Sequence, residues 1–137
     1  MMRPPADLDW VAMTVKQEAE GEPYDGKLMV AFTIANRMGR DRASASDVVL
    51  RAFQLSCWNT SSPTRSRLDD FETNRAVWLD SYKAAAAALC GLVDDPTRGA
   101  TSYLNPTTTT AEQRRAAGYA PERVRVALGK HHFFVAG

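Results

Sequence analysis

Nowhere in this sequence does an apolar run approach the roughly 20 residues that a membrane-spanning helix requires, so membrane insertion by a helix is not expected. The opening stretch, Met1-Met2-Arg3-Pro4-Pro5, leads directly into Asp7 and Asp9, without the apolar segment of a secretory leader. Cysteine is scarce. Cys57 and Cys90 are too few for a disulfide scaffold, although one bridge between them is compatible with the sequence. Metal-site spacings such as H-E-x-x-H and C-x-x-C are absent, and His131 and His132, adjacent on a strand, would point to opposite faces. Phosphate-cradling and Gly-rich nucleotide loops are missing too, so neither a metal nor a cofactor is expected. A net charge of +1 gives no whole-molecule attraction for nucleic acid or for an anionic membrane. There is no internal repeat and no linker.

What is present is an ordinary globular composition, 45% hydrophobic and 24% charged over 137 residues, which suits one domain with one modest core. Residues 1–6 read as an N-terminal tail, and a monomer is expected. Residues 7–20 read as a helix, with Asp7 as its cap and Leu8, Val11, Val15 and Glu18 on one stripe. Gly21 and Pro23 would end it. A second helix over 25–38 carries two apolar rows and is therefore expected to be central, with Gly39 closing it. A short helix is predicted from Ser46. Residues 54–73 have turn formers and no period, while residues 74–92 form the longest helix, marked by the alanine run 84–88. Strand signals follow at 100–104 and at 123–135, where Val124, Val126 and Leu128 alternate with Arg123, Arg125 and Ala127 and where Gly129-Lys130 can turn the chain. The threonine run 107–110 reads as loop or strand edge. The class is α+β, helices first and a small antiparallel sheet toward the C-terminus.

The densest chemistry lies at the bend between the first two helices. Glu18, Glu20, Glu22 and Asp25 place four carboxylates in eight residues. Glu18 shares the apolar stripe and lies at the negative end of its helix. Partial burial, that helix end and a nearby Glu22 all favour the protonated form of a carboxyl, the form a general acid for glycosidic cleavage needs. The alternative is a frayed helix end with Glu18 in water. Glu20 reads as solvent-facing. Glu22 is either an N-terminal charge ahead of the second helix or a partner near Glu18. Cys57-Trp58, with His131 and His132 far downstream, invites a Cys–His nucleophile reading. The residues after Cys57 do not start a helix, however, and no Asn or Asp follows the histidines to orient one. A packed thiol fits Cys57 better.

Four segments together resemble the spore cortex-lytic and cell wall hydrolase family (SleB/CwlJ type), whose small domains cleave peptidoglycan glycan strands. Glu18-Ala19-Glu20-Gly21-Glu22-Pro23-Tyr24-Asp25-Gly26-Lys27, trailed by Val30-Ala31 and Asn36-Arg37, is similar to the family's E-A-x-G-E-P-x-x-G signature and the helix after it. Gln54-Leu55-Ser56-Cys57-Trp58-Asn59 is similar to Q-x-S-C-x-N. Asp95 to Pro106 is similar to D-P-T-x-G-A-T-x-Y-x-N-P, and Gly129 to Phe134 to G-x-H-x-F-Y. Gln17, Ser102 and Phe134 depart from the common pattern, where Gly, His or an aromatic, and Tyr are usual.

The resemblance implies a lysozyme-like, lytic transglycosylase-like domain with Glu18 as the catalytic acid. It would act on the β-1,4 bond between N-acetylmuramic acid and N-acetylglucosamine, with Glu22, Trp58, Tyr103, Asn105 and His131 against the substrate. Hydrolysis instead of transglycosylation is the alternative. A peptidase or amidase built on Cys57 and His131 and a non-catalytic glycan-binding module are further ones. With no leader evident, the expectation is cytoplasmic synthesis followed by action on the wall. A phage endolysin released through a holin, a virion-borne lysin, or a bacterial enzyme processed from a longer precursor would each meet it.

Overall fold

The structure, a computed structural model, describes residues 6–51 and 68–137. Helix α1 spans Asp7–Glu18, α2 Tyr24–Asp41, α3 Ala45–Val49 and α4 Arg75–Cys90. Strand β1 (Ser102–Leu104), helix α5 (Ala111–Ala116), a 3-10 turn at Pro121–Arg123, β2 (Val124–Leu128) and β3 (His131–Phe134) follow. The helices-then-sheet order read from the sequence is the order found.

Helix α4 packs against both α1 and α2, and α3 closes the same bundle. The shared core is Val11, Ala12 and Val15 of α1, Val30, Ala31 and Ile34 of α2, Val48 and Val49 of α3, and Ala84, Ala85 and Ala88 of α4. The alanine run lets α4 approach its neighbours closely. Leu8, placed on the α1 stripe by spacing, is 38% exposed, so the buried stripe begins one turn later at Val11. Helix α2 is the hub. Val30 and Ile34 face the helices, while Met29 packs with Ala100 and Phe133 beneath the sheet.

Three helix ends differ from expectation. Asp7 does not cap α1; Ala6 occupies that position, and Asp9 accepts from the Ala6 amide at 3.2 Å. Asp7 instead accepts from the Ala45 amide at 3.0 Å and so ties the start of α1 to the start of α3. The cap of α3 is Ser44 rather than Ser46, accepting from the Asp47 amide. Helix α2 runs through Gly39, whose cost of about 1 kcal/mol inside a helix is tolerable, and stops at Arg42 in the left-handed region. Between helices, Tyr82 of α4 donates to Asp9 of α1 at 2.7 Å. Burial, together with this carboxylate, pushes the phenol up to about 12.

The sheet order is β1-β3-β2, antiparallel throughout, so the last strand is the middle one. A bulge between Val124 and Val126 breaks the alternation expected of β2 and brings Leu128 opposite His131 at the hairpin end. Helix α5 falls where sequence reading stopped at a threonine run. Thr110 and Gln113 form a reciprocal capping box, with bonds of 2.8 and 3.1 Å.

Candidate active site

Glu18 is the last residue of α1, and the helix closes with the Ala19 amide on the Val15 carbonyl at 2.8 Å. The left-handed glycines are Gly91, Gly99, Gly118 and Gly129, so Gly21, expected to end α1, does not do so in the left-handed conformation, and the C-cap is Ala19. The bend is held from α2 instead. Lys27, only 3% exposed, donates Nζ to the Glu20 carbonyl at 3.3 Å and also to the Glu22 carbonyl. A buried cation on the carbonyls that follow a helix end satisfies acceptors the helix leaves over and opposes its negative pole.

Across from this bend lies the sheet. Tyr103 Oη donates to Glu18 Oε2 at 3.0 Å. Tyr103 sits opposite Phe133 in the β1–β3 register, its ring 5.5 Å from the Phe133 ring, and the His131 ring meets it edge-on at 6.2 Å. Half-buried Glu18 therefore lines a recess of about 340 Å3, open to solvent, with Glu22, Gly26, Tyr103, Leu128 and His131 among its walls. A second recess of about 850 Å3 adjoins it, sharing Glu22, Gly26, Leu128 and His131 and extending to Asp25, Asn105 and Lys130. The two make one groove, narrow at the acid and wide beyond it.

The far side of α1 carries a second charge cluster. The Lys16 side chain is wholly buried, its Nζ 2.6 Å from Asp70 and 3.6 Å from Glu20, and it lies over the Trp78 ring at 5.5 Å. Asp70 also accepts from Asn74 and Trp78, both at 2.8 Å. Burial pushes the Asp70 carboxyl up, but these donors outweigh it and hold it well below the usual carboxylate range. Glu20, expected to face solvent, is half-buried here and accepts from Asn74 at 2.8 Å. Alternating acids at 18 and 20 thus go to opposite sides of the bend, one to the groove and one to this cluster.

The segment from Asp95 to Thr101 is fastened to α2. Asn36 donates to Asp95 at 2.8 Å and to the Ala100 carbonyl at 3.0 Å, while Asp95 accepts from Thr97 and Gly99. Burial raises the Asp95 carboxyl, and the donors around it lower it by more. Many of the motif residues in this stretch therefore build the loop that delivers Tyr103.

Of the residues singled out from the sequence, Glu18, Glu22, Tyr103 and His131 come together around the narrow recess, and Asn105 lies along the wide one. Asn105 has a structural task as well, its side-chain oxygen accepting from the Thr107 amide and hydroxyl at 2.9 and 2.6 Å. The two histidines separate as a strand requires: His132 turns away to Tyr119, at 3.0 Å. Trp58 and Cys57, with the segment similar to Q-x-S-C-x-N, lie outside the described residues. Leu128, Lys130 and Gly26 were not singled out as site residues. Gly26 had a signal in the signature motif: a Cβ there would sit 3.0 Å from Glu22 Cβ and would press on that side chain. Leu128 had none, because its position depends on the bulge.

A carboxyl at a helix end, facing a small antiparallel sheet across a groove, is the arrangement of a lysozyme-like lytic transglycosylase domain. Residues 21–134 match the Cell Wall Hydrolase family, and the chain belongs to that family. The matched region begins three residues after Glu18. Similar curated proteins include the spore cortex-lytic enzymes of Halalkalibacterium halodurans, 32% identical over 130 residues, and of Oceanobacillus iheyensis, 28% identical over 134. Each alignment covers 93% of this chain but 34% and 41% of those proteins, so the chain spans roughly a third to two-fifths of their length. Among solved structures, the catalytic domain of the germination-specific lytic transglycosylase SleB from Bacillus anthracis superposes with a TM-score of 0.66 at 25% identity, covering 96% of each chain. The catalytic domain of the Bacillus cereus SleB protein gives 0.63 at 26% identity, covering 93% of this chain and 88% of the other.

Proposed function

We propose that this chain is a peptidoglycan lytic transglycosylase in which Glu18 is the single catalytic carboxyl. The observation that carries the proposal is the Tyr103–Glu18 hydrogen bond at the wall of the groove. It aims a half-buried carboxyl into the narrow recess. The likeness to a SleB catalytic domain titled a lytic transglycosylase supports the reaction class.

Protonated Glu18 gives its proton to the glycosidic oxygen between N-acetylmuramic acid and N-acetylglucosamine. The C1–O bond breaks, the N-acetylglucosamine side leaves as an alcohol, and positive charge develops at C1 of the muramoyl unit. The Glu18 carboxylate, steadied by Tyr103, then takes the proton from the muramoyl 6-hydroxyl as that oxygen bonds to C1. The product is a 1,6-anhydro end, and the acid is regenerated. One carboxyl suffices because the nucleophile belongs to the substrate and is already in position. In this reading the scissile bond lies beside Glu18, at the narrow part of the groove. The wide part, with Asn105, Lys130 and His131, has room for a substituted sugar. Trp58 remains a candidate for stacking on a sugar ring, and one copy of the chain is expected to act alone.

One observation favours a hydrolytic muramidase as a second reading: Glu22 lines the same recess as Glu18 and could activate a water. Mass spectrometry of digested peptidoglycan separates the two. Anhydro-muramoyl ends are expected, and reducing muramic ends would overturn the transglycosylase reading in favour of the second.

A further inference from the structure

We propose that Arg37 is a positioning residue for the Tyr103–Glu18 pair; the inference rests on the reading of Glu18 as the acid. Arg37 lies three turns along α2 from Lys27 and is 4% exposed. Its Nε and Nη2 donate in parallel to the Thr101 carbonyl at 2.9 and 2.7 Å, and Nη2 also reaches Ser102 Oγ at 3.2 Å. These are the two residues immediately before Tyr103.

Thr101 is fixed on every side. Its amide donates to the Phe134 carbonyl at 3.0 Å. Its hydroxyl oxygen accepts from the Ala136 amide at 3.2 Å and from Arg40 at 3.3 Å. Arg37 thus clamps the entry to β1 at the point where β1, the end of β3 and α2 meet. From there Tyr103 reaches Glu18. The chain of contacts runs from α2 through Arg37, Thr101 and Tyr103 to the carboxyl at the end of α1.

The identity of the residue supports a positioning task. Among the described residues Arg37 Nη1 has no hydrogen-bond partner, an expensive state for a buried cation. A smaller neutral donor would hold one carbonyl without that cost. What the guanidinium adds is a rigid planar fork with two donors on one oxygen, which fixes direction as well as distance.

The test is a double-mutant cycle between Arg37→Met and Tyr103→Phe, read as kcat and KM on soluble glycan chains. In the parent background Arg37→Met is expected to lower kcat about tenfold with KM within about twofold. In the Tyr103→Phe background the same change is expected to cost less than about threefold, because the pair it positions is already broken. Equal losses in both backgrounds, or a loss confined to KM, overturn the proposal and leave Arg37 a general core residue. Arg37→Lys, which keeps the charge and one donor, is measured alongside. If Arg37→Met does not fold, the Lys cycle decides by the same criterion. Coupling is read from rates whichever product end forms, so its failure stays distinct from failure of the transglycosylase reading.

Discussion

Lys16 and Asp70 meet at 2.6 Å with the lysine side chain wholly buried, two residues before the carboxyl that faces the groove. The pair joins the last turn of α1 to the entry of α4, through Asn74 and Trp78. It supports the site from behind: the acid at position 18 is held by Tyr103 on one side of the bend, and its helix is anchored by this cluster on the other.

Asp70→Asn should destabilise the fold by about 3 kcal/mol. It removes the closest counter-charge of a buried lysine, and breaking a buried pair by deleting one partner costs roughly 3–5 kcal/mol; the partial exposure of Asp70 and the nearby Glu20 place this change at the low end. Urea denaturation at neutral pH measures it.

Acid should weaken the protein through Asp70 and Asp95. Both carboxyls are held below the usual range in the fold. Their stabilisation is therefore complete above the ordinary aspartate value of about 3.9 and is lost as pH falls below it toward the folded values. The thermal midpoint followed from neutral pH downward should drop most steeply in that acid window. Asp95→Asn should lower the midpoint at neutral pH and flatten the acid slope.

Glu18→Gln should reduce glycan cleavage by at least about a hundredfold while leaving the circular dichroism spectrum unchanged, since the amide is isosteric and keeps an acceptor for Tyr103. Retained activity would remove Glu18 from the mechanism.

Tyr103→Phe should lower kcat about tenfold, in keeping with a hydrogen bond to a charged group worth roughly 1.5–3 kcal/mol. The change removes the constraint on the carboxyl rather than a contact to the glycan, so the loss should fall on kcat with KM little changed. A loss confined to KM would remove Tyr103 from the orientation of Glu18.

Thr110→Ala should cost about 1 kcal/mol through loss of the α5 cap and leave activity unaltered. Thr110 and Gln113 do not line the groove, so a rate loss here would show that α5 contributes to substrate binding.

Much of this was legible in the sequence because helical and strand periods are local. Each residue's neighbours three or four positions away dictate which face is apolar. That placed α1, α2 and α4, the C-terminal strands and the turn at Gly129. It also separated Glu18 from Glu20, although their surroundings were read only by half, since Glu20 is in a buried-side cluster rather than in water. Local signals failed where two residues compete for one task. Asp7 and Ser46 looked like caps, but Asp7 is drawn to α3 and Ser44 caps α3 two residues earlier. Helix α5 carried a readable capping box and was missed because it has no buried face to give it a period.

The sequence by itself determined the order of elements and the family resemblance and nominated Glu18, since the periods and each of the four motifs are local patterns readable in order along the chain. Only the tertiary structure decided what meets Glu18. Tyr103 lies 85 positions away, and Lys16 finds Asp70 across 54. No spacing rule spans such distances. They are closed by the burial of α2 between a helical core and a sheet core, which brings the end of one helix, the start of one strand and one hairpin tip to the same groove.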